Sequence, residues 1–264
     1  MTKSIILSLL LMLIAPENFK TQQLKYERVR AAYDDKSEAV FALLKSKNLQ
    51  SEHLRLLLRV FKKEQQLEIW AKNETDKTFQ ILKKYDIVSP TGDLGPKRKQ
   101  GDMQTPEGFY FIDRFNPVSN FHLSLGINYP NESDKILGEK GNLGGDIFIH
   151  GSNVTVGCMP MTDDKIKEIY ILSIEARNAG QMQIPVHIFP MNLSGNHFKD
   201  LEKYAKSPEF LEYWSRLKGG QKIDSQRFIK FWSNLKIGFD SFEQNHILPK
   251  VSVGKDVVYK FSEL

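Results

Sequence analysis

The chain of 264 residues has a single cysteine, Cys158, which follows Gly157 and lies eight positions after His150. His150 closes the apolar run Ile147-Phe148-Ile149 and is followed by Gly151. A thiol needs a base to become a nucleophile, and a histidine in a turn at a strand end can supply one. Gly151 and Gly157 let the backbone approach a substrate closely. The helix expected after Met161 would direct its positive end back towards the thiol, and that field and a nearby imidazole would both favour the thiolate. Residue chemistry alone leaves two readings level, a catalytic Cys158–His150 pair and a buried inert cysteine near a structural histidine.

Competing chemistries fit less well. Zinc needs three or four ligands, and His53, His122, His187, His197 and His246 are scattered without ligand spacing, so no metal and no cofactor is expected. Net charge is +5 and the pI about 9.0, which favours acidic partners such as anionic cell wall, lipid headgroups or nucleic acid. The basic run Lys97-Arg98-Lys99 lacks the interleaved aromatics of a single-strand binder. It reads better as a solvated loop, open to an anionic glycan or a peptide carboxylate, and no nucleic-acid partner is expected.

The elements that must position the pair follow from patterning. Lys3 precedes an apolar run over residues 5–14, too short to span a bilayer and suited to a signal peptide. Ala15-Pro16-Glu17 is a poor cleavage site. Residues 1–21 are therefore expected to be a signal peptide or an N-terminal anchor, with no other membrane span. Residues 22–51 read as an amphipathic helix or helix pair, with Leu24, Val29, Tyr33, Val40 and Leu44 at helical spacing. Strands are expected at 54–61 and 67–71, as a hairpin, and at 78–88, 109–115, 121–125 and 146–150, with a long loop over 128–145. Thr162 is the expected N-cap of a helix carrying Ile166, Ile169, Tyr170 and Ile174 on one side. Pro185 marks 184–189 as an edge or terminal strand. Beyond residue 191 the chain turns helical and aromatic, with Trp214 and Trp232, and ends in a short strand. The expected fold class is mainly β with flanking helices (α+β), and the strand-rich domain spans 52–190 between a helical segment at 22–51 and a helical extension at 191–264.

Three ordered motifs resemble one family. Phe148-Ile149-His150-Gly151 with Val156-Gly157-Cys158-Met159-Pro160-Met161 is similar to the active-site signature of the L,D-transpeptidases, the YkuD-type cysteine enzymes of bacterial peptidoglycan. Gly101-Asp102-Met103-Gln104-Thr105-Pro106-Glu107-Gly108 resembles that family's upstream segment, and Phe121-His122-Leu123-Ser124 with Asn128-Tyr129-Pro130-Asn131 its periplasmic murein branch. Val156 and Pro160 depart from the family, which mostly has histidine and a polar residue there; the second departure bears on how the donor stem is held.

The resemblance implies a twisted β-sandwich, periplasmic location and a thioester mechanism. Cys158 would attack meso-diaminopimelate in a stem peptide, His150 would act as base, and the Gly151 carbonyl would fix the tautomer of His150. Backbone N–H groups at Gly157 and Cys158 would hold the oxyanion. The implied partners are peptidoglycan stem peptides and a murein-linked outer-membrane lipoprotein. Hydrolysis in place of transfer would make the protein an L,D-peptidase or amidase, and loss of function a wall-binding module.

Overall fold

β1 (Leu54–Phe61) is apolar along almost its whole length and buried on both sides, the pattern of a central strand. In the computed structural model, which describes residues 17–89, 92–254 and 259–262, it lies within an eight-stranded sheet. The other strands of the sheet are β2 (Gln66–Asn73), β3 (Gln80–Asp86), β4 (Gly108–Asn116), β5 (Ser124–Ile127), β6 (Phe148–His150), β7 (Met159–Pro160) and β8 (Ile184–Phe189). Their order is β3-β2-β1-β8-β4-β5-β6-β7, with parallel pairing only at β1–β8 and β6–β7. The expected mostly-β fold with flanking helices therefore takes the form of one curled sheet. Its curl brings Val88, just past β3, to β7 at the far edge, where the Val88 N–H donates to Pro160 O at 3.0 Å.

Alternation along β1 feeds two cores. Leu54, Leu56, Leu58 and Val60 face a cluster with α4 (Asp163–Asn178), whose Ile166, Ile169, Tyr170 and Ile174 are fully buried. α1 (Phe19–Gln23) and α2 (Glu27–Ser46) cover α4 from outside, through Val29, Ala32, Tyr33, Val40 and Leu44. The leader expected at 1–21 lies outside the described residues up to position 16; Phe19 belongs to α1 and packs edge-on against Phe115 at 4.8 Å.

On the other face, Leu57, Arg59 and Phe61 meet α7 (Ser225–Asn245). The Arg59 guanidinium, almost fully buried, lies among the rings of Phe61, Trp70, Phe189, Phe239 and Phe242 and pairs with Glu243 at 2.6 Å. α5 (His197–Tyr204) and α6 (Pro208–Leu217) complete this layer, and β9 (Lys250–Ser252) pairs with β10 (Lys260–Ser262).

Three expectations are corrected. β8 is central, between β1 and β4, despite Pro185. Its ladder with β1 begins only at Val186, opposite Leu58. Ahead of that point the Gln181 carboxamide replaces a strand: its Oε1 accepts from Leu56 N–H and its Nε2 donates to Leu56 O, both at 2.8 Å. The absent N–H of Pro185 thus leaves no partner unpaired on the β1 side. The long loop at 128–145 contains α3 (Glu132–Leu137), nucleated by a capping box between Asn131 and Asp134. The strand expected from residue 121 begins at Ser124, because the preceding turn is held by Arg28, which donates to Ser119 O and His122 O.

Gln181→Ala should lower unfolding stability by about 1–3 kcal/mol, since it leaves both polar groups of the buried Leu56 peptide without partners. Urea denaturation measures it, and an unchanged midpoint would refute the role given to this carboxamide.

Candidate active site

The register of β6 and β7 determines what Cys158 and His150 can share. Ile149 pairs with Met159 and His150 with Pro160, in parallel. Ile149 and Met159 point into the core. By alternation His150, and Cys158 just ahead of β7, project from the opposite face. The seven-residue excursion over 151–157 thereby returns the chain beside the strand that it left.

His150 is buried, at 1 % exposure. Its Nδ1 lies 2.5 Å from Gly151 O. A carbonyl can only accept, so Nδ1 carries the proton and Nε2 keeps its lone pair. Burial pushes the imidazole pKa below its ordinary value, partly opposed by that hydrogen bond. The Phe121 ring, 42 % exposed, tilts over the imidazole with centroids 4.7 Å apart. The turn after His150 is clamped to the start of α4: Ser152 N–H donates to Asp163 Oδ1 at 2.7 Å and Thr162 N–H to Ser152 O at 3.0 Å. A Cβ on Gly151 would lie 2.6 Å from Asp163 Oδ1 and 2.7 Å from Phe121 O, so this turn needs glycine for packing by the protein itself.

The thiol is half-buried. Phe148 N–H donates to Cys158 Sγ at 3.4 Å, and Sγ lies 3.5 Å from Asp146 O. Among the described residues no hydrogen bond joins Sγ to His150. Cys158 N–H donates to Thr155 Oγ1 at 3.0 Å. Gly157 has φ +84°, and a Cβ there would lie 3.0 Å from Gln104 O. Burial raises the thiol pKa, outweighing the opposite pull of Phe148 N–H and the Thr155 hydroxyl. The expected thiolate-favouring field is thus not what governs: the first turn of α4 serves the His150 turn, and desolvation dominates at the sulfur. Both shifts favour the neutral forms, thiol and imidazole.

Cys158 lines a cleft of about 380 Å³ together with Lys62, Lys63, Asp93, Thr105 and Tyr204. Its floor is built by the upstream motif. Glu107, fully buried, accepts from Lys62 Nζ at 3.0 Å, Gly95 N–H at 2.7 Å and Trp232 Nε1 at 2.7 Å. Lys62 Nζ also donates to the carbonyls of Asp93, Gly95 and Thr105. Gln104 donates from Nε2 to Tyr213 Oη at 2.5 Å and accepts from Asp93 N–H at 3.2 Å.

The basic run is not a solvated loop. Lys97 is buried and pairs with Asp102 at 2.7 Å, Arg98 lies 3.4 Å from Asp134 and over Phe231, and Lys99 donates to Leu217 O. Asp102, itself buried, also accepts the N–H groups of Arg98, Lys99 and Gln104, which folds the run inward. No cluster of three or more metal-ligating side chains exists among the described residues.

The L,D-transpeptidase catalytic domain (YkuD) matches residues 56–179. YafK of Escherichia coli K12 is 33% identical over 207 residues, which cover 77% of this chain and 73% of YafK. The chain belongs to the L,D-transpeptidase catalytic-domain family. YafK of Escherichia coli O157:H7 matches to the same extent. Among solved structures, the helical cell-shape-determining protein Pgp2 of Campylobacter jejuni aligns over 76% of this chain and 73% of its own, at 18% identity and TM-score 0.42. Bd1075 of Bdellovibrio bacteriovorus aligns over 79% and 82%, at 18% identity and TM-score 0.38.

Within this family domain, sequence reading located Cys158, His150, Gly151 and Gly157 on one small region, and the structure places them around the β6–β7 pair. It gave no role in the site to Phe121, Thr155 or Tyr204. A threonine three residues before the cysteine was a visible signal; the contacts of Phe121 and Tyr204 depend on tertiary structure. Pro160, the departure noted above, is buried in β7, and Val156 is 67 % exposed on the loop.

Because the thiol pKa is raised, the thiolate fraction at neutral pH is smaller than for a free cysteine, and it grows only as pH passes beyond the ordinary thiol range. Alkylation of Cys158 by iodoacetamide should therefore keep accelerating through pH 9. A plateau below pH 8 would instead indicate a resting thiolate–imidazolium pair.

Proposed function

We propose that the protein is a peptidoglycan L,D-transpeptidase that works through a thioester on Cys158. The observation that supports this reading is the β6–β7 register, which brings Cys158, a cleft residue, to the edge of the strand pair carrying His150, whose Nδ1 proton is committed to Gly151 O. His150 Nε2 is then the proton acceptor, and Gly151 the residue that fixes its tautomer.

In the proposed cycle, Sγ leaves Phe148 N–H and passes its proton to Nε2 as it attacks the carbonyl at the L-centre of meso-diaminopimelate in a tetrapeptide stem. Starting from a neutral pair, proton transfer and attack are coupled, so no buried charge needs to pre-exist. The oxyanion is received by backbone N–H groups at Gly157 and Cys158; that of Cys158 exchanges Thr155 Oγ1 for the substrate oxygen. One such donor is worth about 3–4 kcal/mol at the transition state. The intermediate collapses, the terminal D-alanine leaves with the proton from Nε2, and the thioester remains. An amine, from a neighbouring diaminopimelate or a lysine of a murein-linked lipoprotein, attacks the thioester and restores the thiol.

The reaction belongs in the periplasm, where stem peptides are found, with residues 1–21 as the export signal or anchor and 52–190 as the catalytic domain. Among the described residues no helix is long and apolar enough to cross a membrane. Water in place of the amine would turn the same steps into stem trimming or release of lipoprotein.

Tetrapeptide-bearing sacculi incubated with the protein should yield dimers joined between two diaminopimelates, or tripeptides carrying a lipoprotein lysine, by mass spectrometry of muropeptides. Cys158→Ala should abolish them. His150→Ala should slow them by about 10²–10⁴-fold, the range of general-base contributions. Shortened stems without cross-links would mark a hydrolase, and unchanged sacculi would remove the proposed substrate.

A further inference from the structure

The cleft has a second chemical pole besides the nucleophile. Asp93 lines it, and among the described residues its carboxylate is held by neutral donors. Tyr204 Oη lies 2.8 Å from each of its oxygens, and Leu94 N–H donates to Oδ1 at 2.7 Å. Burial and the adjacent carboxylate push the Tyr204 pKa up, so its hydroxyl stays a donor. Lys62 reaches the Asp93 carbonyl, not its side chain, and its charge is offset by Glu107. Among the described residues, no lysine or arginine forms an ion pair with Asp93.

A second lining residue supplies the complementary charge. Lys63, in the β1–β2 turn, lines the same cleft, is exposed, and likewise forms no ion pair among the described residues. One cleft thus presents an unneutralised carboxylate, an unneutralised ammonium and the nucleophile. At about 380 Å³ it is near the lower end for ligand sites, suited to a residue-sized group rather than a long peptide. The ligand that satisfies both charges carries an ammonium and a carboxylate close together.

We propose that Asp93 with Tyr204 and Lys63 form a subsite for a free α-amino-acid head group, Asp93 and Tyr204 taking its ammonium and Lys63 its carboxylate. Since Cys158 lines the same space, the head group belongs to the acyl donor. The inference rests on the donor being a stem peptide, as set out above, and meso-diaminopimelate carries such a head at the end of its side chain. Tyr204 comes from α5, beyond the family match at 56–179, so specificity would be set partly by the C-terminal extension. These three are binding residues and take no part in bond making.

The test uses the full chain carrying Cys158→Ala, so that binding is read without turnover. A tetrapeptide stem with a free diaminopimelate head is titrated calorimetrically beside the same peptide acetylated on the head amine, and beside one amidated on the head carboxylate. Each modification should weaken binding at least about tenfold, as expected when one partner of a charge-assisted contact is removed. Asp93→Asn and Tyr204→Phe should remove most of the acetylation penalty and keep the amidation penalty. Lys63→Ala should do the reverse. Should Asp93→Asn fail to fold, the milder Tyr204→Phe and the exposed Lys63→Ala still decide.

Equal binding of the three peptides, no binding of any, or penalties that survive these substitutions would overturn the subsite. Acylation of the intact thiol separates this outcome from the mechanism. Peptide that binds with both penalties but forms no thioester would sink the transpeptidase reading alone. Thioester that forms equally fast from free and acetylated stems would sink the subsite alone.

Discussion

A buried ion pair, Lys62–Glu107, sets the shape of everything around the thiol. Taking two charges out of water costs several kcal/mol per ion unless their remaining hydrogen-bond capacity is filled. Here it is filled: the three ammonium protons are shared among four oxygens, and Glu107 also accepts from Gly95 N–H and Trp232 Nε1. These partners lie at the end of β1, in the 93–95 turn, in the Thr-Pro-Glu-Gly motif and on α7. The pair therefore joins four separate chain segments, and losing either charge would strand the other in an apolar layer. Low dielectric makes such a network strong when complete and costly when broken, which explains why these segments hold one arrangement.

The nucleophile side follows a different logic. Both titratable groups are pushed by burial towards their neutral forms, the imidazole downward and the thiol upward. Neutrality removes the cost of a resting buried charge pair, and places the demand on geometry. The fold meets it with a committed Nδ1, an aromatic ring against the imidazole, a clamp on the turn after His150 from Asp163, and close packing of Gly157 against Gln104 O. The sulfur rests on Phe148 N–H, a contact that the proposed mechanism requires it to leave. Under the proposed mechanism such a site would rely on transition-state charge stabilisation by fixed dipoles more than on a pre-ionised thiol.

Much of this was legible in the sequence, for identifiable reasons. β1 and β2, α2 and α4 have strong periodicity, and the structure places them where patterning does. Thr162 reads as a cap because its hydroxyl precedes two aspartates, and it does accept from Lys165 N–H. Cys158 and His150 stand out because their residue types are rare here and close in sequence. What failed depended on distant partners. Pro185 was misread because Gln181, not a neighbouring strand, satisfies Leu56. The run Lys97-Arg98-Lys99 was misread because Asp102 draws it inward, and no local rule prices that. Asp93 and Tyr204 are 111 positions apart and carry no shared motif, so their contact emerges only in the fold.

The same distance argument changes the standing of the C-terminal helices. They do not merely cover a finished domain. Tyr213 on α6 holds Gln104, whose carbonyl borders Gly157, while Trp214 donates to Leu94 O and Trp232 to Glu107. A Cβ on Gly95 would lie 2.3 Å from the Trp214 ring, so that turn and that helix are fitted to each other. Gly108, at φ +147°, similarly leaves room for Tyr259 Oη, where a Cβ would lie 2.2 Å away. Gly95 and, in the family-like motif, Gly108 are thus matched to aromatic groups from beyond residue 191. The cleft wall, its floor and the backbone beside the nucleophile share partners in these helices, so the site and the extension form one cooperative unit.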